Sequence, residues 1–349
     1  MTQPRQPRIV VIGASAGGVE ALSALVARLP ADFPAALFVV LHIAPHSPSA
    51  LPRILSRASA LPAVHPEDGE VFRPGHIYIA PPDHHLLIDG DRVAVKKGPR
   101  ENRFRPSVDA LFRSAAYTHG AGVIGVVLSG LLDDGTSGLW TIKRLGGTAL
   151  VQDPAEALFD PMPRSALQHV QIDAVLPASE IAGRLVRLVQ APRPEAPAPG
   201  LTGEERERLR AEVPIAAKDS AYRLGIMALG KLSPFTCPEC QGVLVQVEEG
   251  TLTRFRCHTG HAYTADALLA DLTEATEAQA YQVIRGLEET ALLLRQLSGR
   301  FEETGEPQTA RAFLEQACRA ERRTETLRSV IFQNEPLSEE KLEATVQRD

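Results

Sequence analysis

Three stretches of this chain are apolar at almost every position: residues 8–12 (RIVVI), 36–41 (ALFVVL) and 122–128 (GVIGVVL). A strand that is apolar on both faces must be covered on both faces, which is the condition of a parallel sheet sandwiched between helix layers. The segments between them fit that arrangement. Residues 19–29 and 136–145 carry helical spacing, and 148–152 returns to strand. Shorter strands are expected at 76–79, 86–88 and 93–95, the last two as a hairpin turning at Asp89-Gly90-Asp91. Residues 1–190 are therefore expected to form an α/β domain with an open, mostly parallel sheet.

At 349 residues the chain exceeds one ordinary domain. The Pro/Ala stretch APRPEAPAPG at 191–200 reads as a linker. Beyond it, 201–264 holds a charged helical run at 203–212 and a Cys/His segment with short strands at 243–247 and 253–256. Residues 265–349 are helical with a polar tail. Ala280, Ile284, Leu287, Ala291, Leu294 and Phe301 share one helix face. Phe313, Ala317, Ala320, Thr324, Leu327 and Ile331 repeat that pattern after a break at 304–307. The pair is expected to form an α-helical hairpin whose stripes pack on each other, and the seam can also support a homodimer.

A net charge of −6 carries no basic stripe, so nucleic acid is not an expected partner. No apolar run is long enough for membrane insertion, and MTQPRQPR lacks a signal-peptide core, so a cytoplasmic location is expected. Three of the four cysteines fall within twenty-one residues, a clustering that reads as metal binding in a chain without an export signal. C-x₂-C at Cys237 and Cys240, then C-x₃-H at Cys257 and His261, has zinc-ribbon spacing, with two turns each giving two ligands. His258 is the alternative fourth ligand. Four protein ligands close the site, so a structural zinc is expected and no cofactor for catalysis. Cys318, on a helical stripe, is expected to be buried.

The first strand runs into Gly13-Ala14-Ser15-Ala16-Gly17-Gly18. A dinucleotide loop wants glycine where Ser15 stands and an acidic residue after the second strand, where His42 stands instead. No Walker lysine follows. Read as G-x-S-x-G, the stretch is a sharp strand-to-helix turn that lifts Ser15 Oγ above the sheet and aims the next helix N-terminus at a forming oxyanion. The plainer possibility is that Ser15 caps the helix. His42 ends the second strand, and strand carboxyl ends of an open parallel sheet share one crevice, so His42 can serve Ser15 as base. Asp133 and Asp134 follow the strand at 122–128. Either can orient His42, and one of them is expected to cap the helix that starts near Thr136. The order Ser…His…Asp differs from that of α/β-hydrolases.

GASAGG, VLHIAP, EDGEVFRPGHIYIAPPDHH, NRFRPSVDALFRSAA, GVVLSGLLDDGTSGL and FDPMPRSAL occur in this order between residues 8 and about 190. Together they resemble the CheB-type methylesterase domain of bacterial chemoreceptor demethylases, which implies a doubly wound, mostly parallel, Rossmann-like three-layer α/β fold for residues 1–190. The resemblance implies Ser15 as nucleophile, His42 as general base, Asp134 as orienting carboxylate and the backbone N–H of Ala16 as oxyanion donor. It also implies hydrolysis of glutamate γ-methyl esters on chemoreceptors or other signalling proteins, and glutamine deamidation in some members. Two features depart from the family pattern. The aspartate loop usually reads T-G-M-G-x-D-G, whereas Leu132 replaces a glycine here. The family's usual receiver domain is not expected here, because the first catalytic strand already opens at residue 8, so regulation is expected to come from partners, localisation or the C-terminal region. The other reading is a non-catalytic signalling module that recruits partners through the ribbon and hairpin.

Overall fold

The computed structural model describes residues 8–191, 200–217 and 220–331. Most of the expected linker at 191–200 and the polar tail lie outside them. Residues up to Leu268 form one compact unit and those from Leu269 a second.

In the first unit the chain runs β1 (Ile9–Ala14), α1 (Gly18–Val26), β2 (Ala36–Leu41), α2 (Leu51–Ala58), β3 (Ala63–Val64), β4 (Ile77–Ile79), β5 (His85–Asp89), β6 (Arg92–Lys96), α3 (Val108–His119), β7 (Val123–Val127), α4 (Thr136–Arg144), β8 (Thr148–Gln152), α5 (Pro161–His169), β9 (Ala174–Leu176) and α6 (Ala178–Gln190). Seven of these strands form a parallel sheet in the order β3-β4-β2-β1-β7-β8-β9. Every residue of β1, β2, β7 and β8 is buried. Alternate side chains feed two cores. Val10, Ile12 and Ala14 of β1 pack with α1, α2 and α6, while Ile9 and Val11 pack with α3, α4 and α5. This is the open parallel sheet expected from the apolar runs, in the doubly wound three-layer form that the resemblance implies. The expected hairpin is β5–β6, turning through Gly90 at φ 62°.

The chain continues through α7 (Gly203–Ala217) into a four-stranded antiparallel sheet of β10 (Lys231–Thr236), β11 (Val243–Glu249), β12 (Leu252–Cys257) and β13 (Ala262–Thr264). Of these strands, the middle two were legible in the sequence. The small sheet is joined to the large one's helices by a buried ion network. Arg254 bonds Glu212 of α7 at 2.9 Å and Glu249 at 2.6 Å. Arg256 bonds Glu212 at 3.1 Å and Glu101 at 2.9 Å. Arg113 of α3 pairs with Glu101, and Ser137 of α4 donates to Glu249 at 2.6 Å. Arg113, Arg254, Arg256, Glu101, Glu212 and Glu249 are all at most 2% exposed. Burial works against the charge on Glu212, but Arg254, Arg256 and Arg113 outweigh it and hold the carboxyl well below its ordinary range.

The second unit holds the length of α8 (Ala265–Glu303) beyond Leu268 and α9 (Pro307–Ile331). The two run antiparallel as a hairpin. Ser298 donates to the Ala310 carbonyl at 2.7 Å, Phe301 stacks on Phe313 at 5.1 Å, and Arg328 pairs with Glu288 at 2.7 Å. Ile284, Ala291 and Ser298 are buried at heptad spacing, as are Ala310, Ala317, Thr324 and Ile331. Cys318 departs from expectation: it is half-buried, because its neighbour Ala317 takes the seam position. Among the described residues, no helix is long and apolar enough to cross a membrane.

Candidate active site

The order β2-β1-β7 puts three chain exits side by side at the carboxyl edge of the sheet. Ser15 follows β1, His42 follows β2, and the loop 128–135 follows β7. The serine turn is held by main-chain bonds from Ser15 N–H to the Ser129 carbonyl and from Gly18 N–H to the Ser15 carbonyl, both 2.9 Å. Gly17 enters α1 at φ 70°, where a side chain would be strained and would collide with Ser129. Gly17 itself occupies the N-cap and no side chain caps α1, so Ser15 is not a helix cap. Ser129, which the sequence did not flag, donates from Oγ to the Ala16 carbonyl at 2.8 Å and accepts Phe159 N–H at 2.9 Å.

His42 Nε2 lies 2.8 Å from Asp134 Oδ2, with both side chains at most 2% exposed. Phe104 stacks on the imidazole at 3.8 Å between ring centres. Since Asp134 accepts the Nε2 proton, the free lone pair is at Nδ1, which is buried and has no partner among the described residues.

Asp134 sits at the N-terminus of α3. It accepts Val108 N–H at 2.7 Å, Asp109 N–H at 3.2 Å, Ser107 Oγ at 3.0 Å and Asn102 Nδ2 at 2.9 Å. Burial alone would raise its pKa. The His42 contact, the Asn102 amide and the α3 amide outweigh burial and keep the carboxyl below its ordinary value. Neighbouring Asp109 goes the other way: burial and the Asp134 charge push it well above the carboxylate range. The two sequence aspartates thus separate by partner. Asp134 meets His42, whereas Asp133 accepts Thr264 Oγ1 at 2.7 Å. Neither caps α4, contrary to expectation. Gly135 is the N-cap at φ 100°, and Thr136 N–H bonds the Asp133 main-chain carbonyl.

Leu132, which stands where the resembling family has glycine, adopts φ 59°. The loop keeps the left-handed turn a glycine would allow and carries the strain in a leucine. Leu132→Gly is expected to be more stable than Leu132→Ala by about 1 kcal/mol, the reverse of the usual order. Chemical denaturation of the two variants checks this, and Ala at or above Gly would refute it.

A cavity of about 450 Å³ opens over the site, lined by Ser15, Ala16, His42, Arg100, Arg103 and Phe104 among others. Among the described residues, Ala16 N–H bonds no protein acceptor. Beneath the cavity's wall, buried His85 donates from Nε2 to the Pro99 carbonyl at 2.8 Å and accepts Ser107 N–H at Nδ1. That bonding fixes a neutral ring. Burial pushes its pKa down to about 4, against the support of the Pro99 carbonyl. Between pH 6.5 and 4 the unfolded chain therefore binds the proton and the fold does not, so stability falls as pH falls. The expected loss is about 3 kcal/mol across that window. His85→Gln should flatten this slope in urea midpoints measured at several pH values, and an unchanged slope would contradict the assignment.

The four metal-candidate residues also come together. Ligand atoms of Cys237, Cys240, Cys257 and His261 lie within 4.8 Å of one another. Cys240 Sγ is 3.7 Å from Cys257 Sγ, and His261 Nδ1 is 3.6 Å from both Cys237 and Cys257 Sγ. Bond lengths of about 2.3 Å to sulfur and 2.0 Å to nitrogen around a tetrahedral Zn²⁺ require separations of about 3.5–3.8 Å, which these three distances match, and the cluster as a whole is compatible with such an ion. His261 Nε2 faces Glu239 at 3.5 Å, the carboxylate partner usual behind a ligating histidine. His258 is not among the four.

Fold and site together define a doubly wound α/β protein with a serine, a histidine and an aspartate gathered at the carboxyl edge of its sheet. The chain belongs to the CheB methylesterase family, whose sequence profile matches residues 10–185. It is 43% identical over 180 residues to protein-glutamate methylesterase/protein-glutamine glutaminase 3 of Anaeromyxobacter dehalogenans, covering 51% of this chain and 53% of that protein. It is 40% identical over 182 residues to a putative protein of the same description from Leptospira interrogans, covering 52% of this chain and 94% of that one. The crystal structure of the Thermotoga maritima CheB methylesterase catalytic domain superposes with a TM-score of 0.51 at 36% identity, covering 52% of this chain and 99% of that domain. The chain thus spans about half the length of the Anaeromyxobacter relative.

Proposed function

We propose that the chain is a protein-glutamate methylesterase, with protein glutamine as a second substrate. The observation that carries this reading is the state of His42: Asp134 holds Nε2, while Nδ1 has no partner among the described residues and the ring lines the same cavity as Ser15. His42 Nδ1 takes the Ser15 Oγ proton as Oγ adds to the ester carbonyl, and the oxyanion forms against Ala16 N–H. As the tetrahedral species collapses, the C–OCH₃ bond breaks, His42 returns the proton, and methanol leaves a γ-glutamyl-Ser15 ester. His42 then deprotonates a water that attacks this ester, releasing glutamate and restoring Ser15. Glutamine gives the same ester with loss of ammonia.

The substrate proposed is a methylated chemoreceptor or similar signalling protein, met in the cytoplasm. A structural Zn²⁺ is assigned to Cys237, Cys240, Cys257 and His261. Held by four protein ligands it would have no open position, so it would cross-link the small sheet and take no part in the ester chemistry. A homodimer through the C-terminal helices would use exposed Leu292 and Leu293. The deciding experiment is methanol release from carboxyl-methylated receptor fragments. Release sustains the reading, and its absence from every fragment would favour the non-catalytic signalling module.

A further inference from the structure

Residues 101–104 form a tight turn. Glu101 N–H bonds the Phe104 carbonyl at 3.1 Å and Phe104 N–H bonds the Glu101 carbonyl at 2.9 Å. Asn102 and Arg103 between them sit at φ 50° and 73°, the consecutive left-handed pair of a type I′ turn, in which Asn is favoured at the first position. One end of this turn lays the Phe104 ring on His42. The other sends the Asn102 amide into the carboxylates, Nδ2 bonding Asp134 Oδ1 and Asp109 Oδ2, each at 2.9 Å.

What holds the turn comes from a distant part of the chain. Asn102 N–H bonds the Ala262 carbonyl at 2.8 Å, and Ala262 N–H bonds the Arg100 carbonyl at 3.2 Å, so β13 pairs with the segment leading into the turn. Thr264 N–H donates to Asn102 Oδ1 at 2.9 Å. That bond decides which end of the amide faces Asp134, because a flipped amide would set its oxygen against the Asp134 carboxylate and its NH₂ against the Thr264 N–H. Arg256 anchors Glu101, and Thr264 Oγ1 bonds Asp133 beside Asp134. β13 begins directly after His261, and Glu239, behind His261, bonds cavity-lining Arg100 at 3.2 Å.

We infer that Asn102 is a positioning residue for Asp134, and that the small sheet, cross-linked by the Zn²⁺ proposed at Cys237, Cys240, Cys257 and His261, is the splint that fixes Asn102. The rate arm of this inference rests on the methylesterase reading, while its geometric arm does not. Loss of the amide, or of the metal cross-link that would steady β13, removes or loosens one of the four donors that hold Asp134, the others being Val108, Asp109 and Ser107, and loosens its alignment on His42.

The test uses the full chain purified with stoichiometric Zn²⁺. Asn102→Gly keeps the left-handed turn and removes the amide. It is expected to lower kcat by about tenfold or more with KM within about twofold, and to shift or broaden the low-field proton resonance of the His42–Asp134 bond. Cys240→Ser removes a metal ligand. It is expected to lower bound Zn²⁺ and reproduce both effects, with faster amide exchange at Asn102, Val108 and Asp109 while β1 and β7 stay protected. An unchanged kcat and resonance in Asn102→Gly would overturn the inference. So would a folded, metal-free Cys240→Ser protein with wild-type exchange at those amides. Should Cys240→Ser fail to fold, Asn102→Gly decides alone. Should the wild type release no methanol, the proposed activity falls, and the resonance and exchange still decide the splint.

Discussion

Ser15→Ala is expected to reduce methanol release by a factor of about 10⁴ or more while leaving the fold intact. The size follows from the site's division of labour. In the proposed mechanism no covalent ester forms without Oγ, and what would remain is water attack assisted by the Ala16 amide. The fold survives because the turn is held by the Ser15 main chain and by Ser129, with no bond from Ser15 Oγ among the described residues. Alanine removes one oxygen from a half-buried position and leaves Gly17 and Gly18 undisturbed. Initial rates on a methylated receptor fragment, with a parallel melting curve, check both halves. A variant that keeps a tenth of the wild-type rate would remove Ser15 from the chemistry.

The second large effect is on stability. Arg254→Met is expected to cost about 3–5 kcal/mol, since it leaves Glu212 and Glu249 buried with a cation missing. At about 2–4 °C per kcal/mol for a unit of this size, the melting point should fall by roughly 10 °C. Burial lowers the tendency of Arg254 to hold its proton, but Glu212 and Glu249 more than restore it, so the guanidinium is charged in the fold. The sign with pH follows from Glu212. Its depressed pKa contributes stability at pH values above its ordinary 4.5, and that contribution disappears as pH falls through the folded value. The gap between wild type and Arg254→Met should therefore be full at pH 7 and close in acid. A denaturant midpoint within the error of wild type at pH 7 would show that the network does not hold the small sheet.

Much of the site could be read from the chain because each of its groups stands at a strand end. Apolar runs locate strands, parallel strands share a carboxyl edge, and Ser15, His42 and the Asp133-Asp134 pair follow three such runs. The choice between the aspartates was not local. It depends on the α3 N-terminus, about 26 residues earlier, which receives Asp134, and on Thr264, 131 residues later, which takes Asp133. Asn102 was invisible for the same reason: nothing near NRFRP announces that Thr264 will orient its amide. In β12, Arg254 and Arg256 alternate with Phe255 and Cys257, a period-two pattern that ordinarily puts arginines in water. Here α7 and α3 cover that face as well, and the carboxylates that make this affordable come from residues 101, 212 and 249. Local patterning carries no signal for such long-range pairing.

The ion network has a practical corollary for anyone dividing this chain. The proline-rich stretch invites a cut near residue 190, and the family profile stops at 185. A fragment ending there would strip Glu101 of Arg256 and Arg113 of Glu212, and would open the edge where β13 lies against residues 100–102. Its sheet could be sound and its serine present, yet a feeble rate from it would report on the missing splint. Kinetic comparison with shorter relatives is therefore meaningful only from chains that run at least through Leu268.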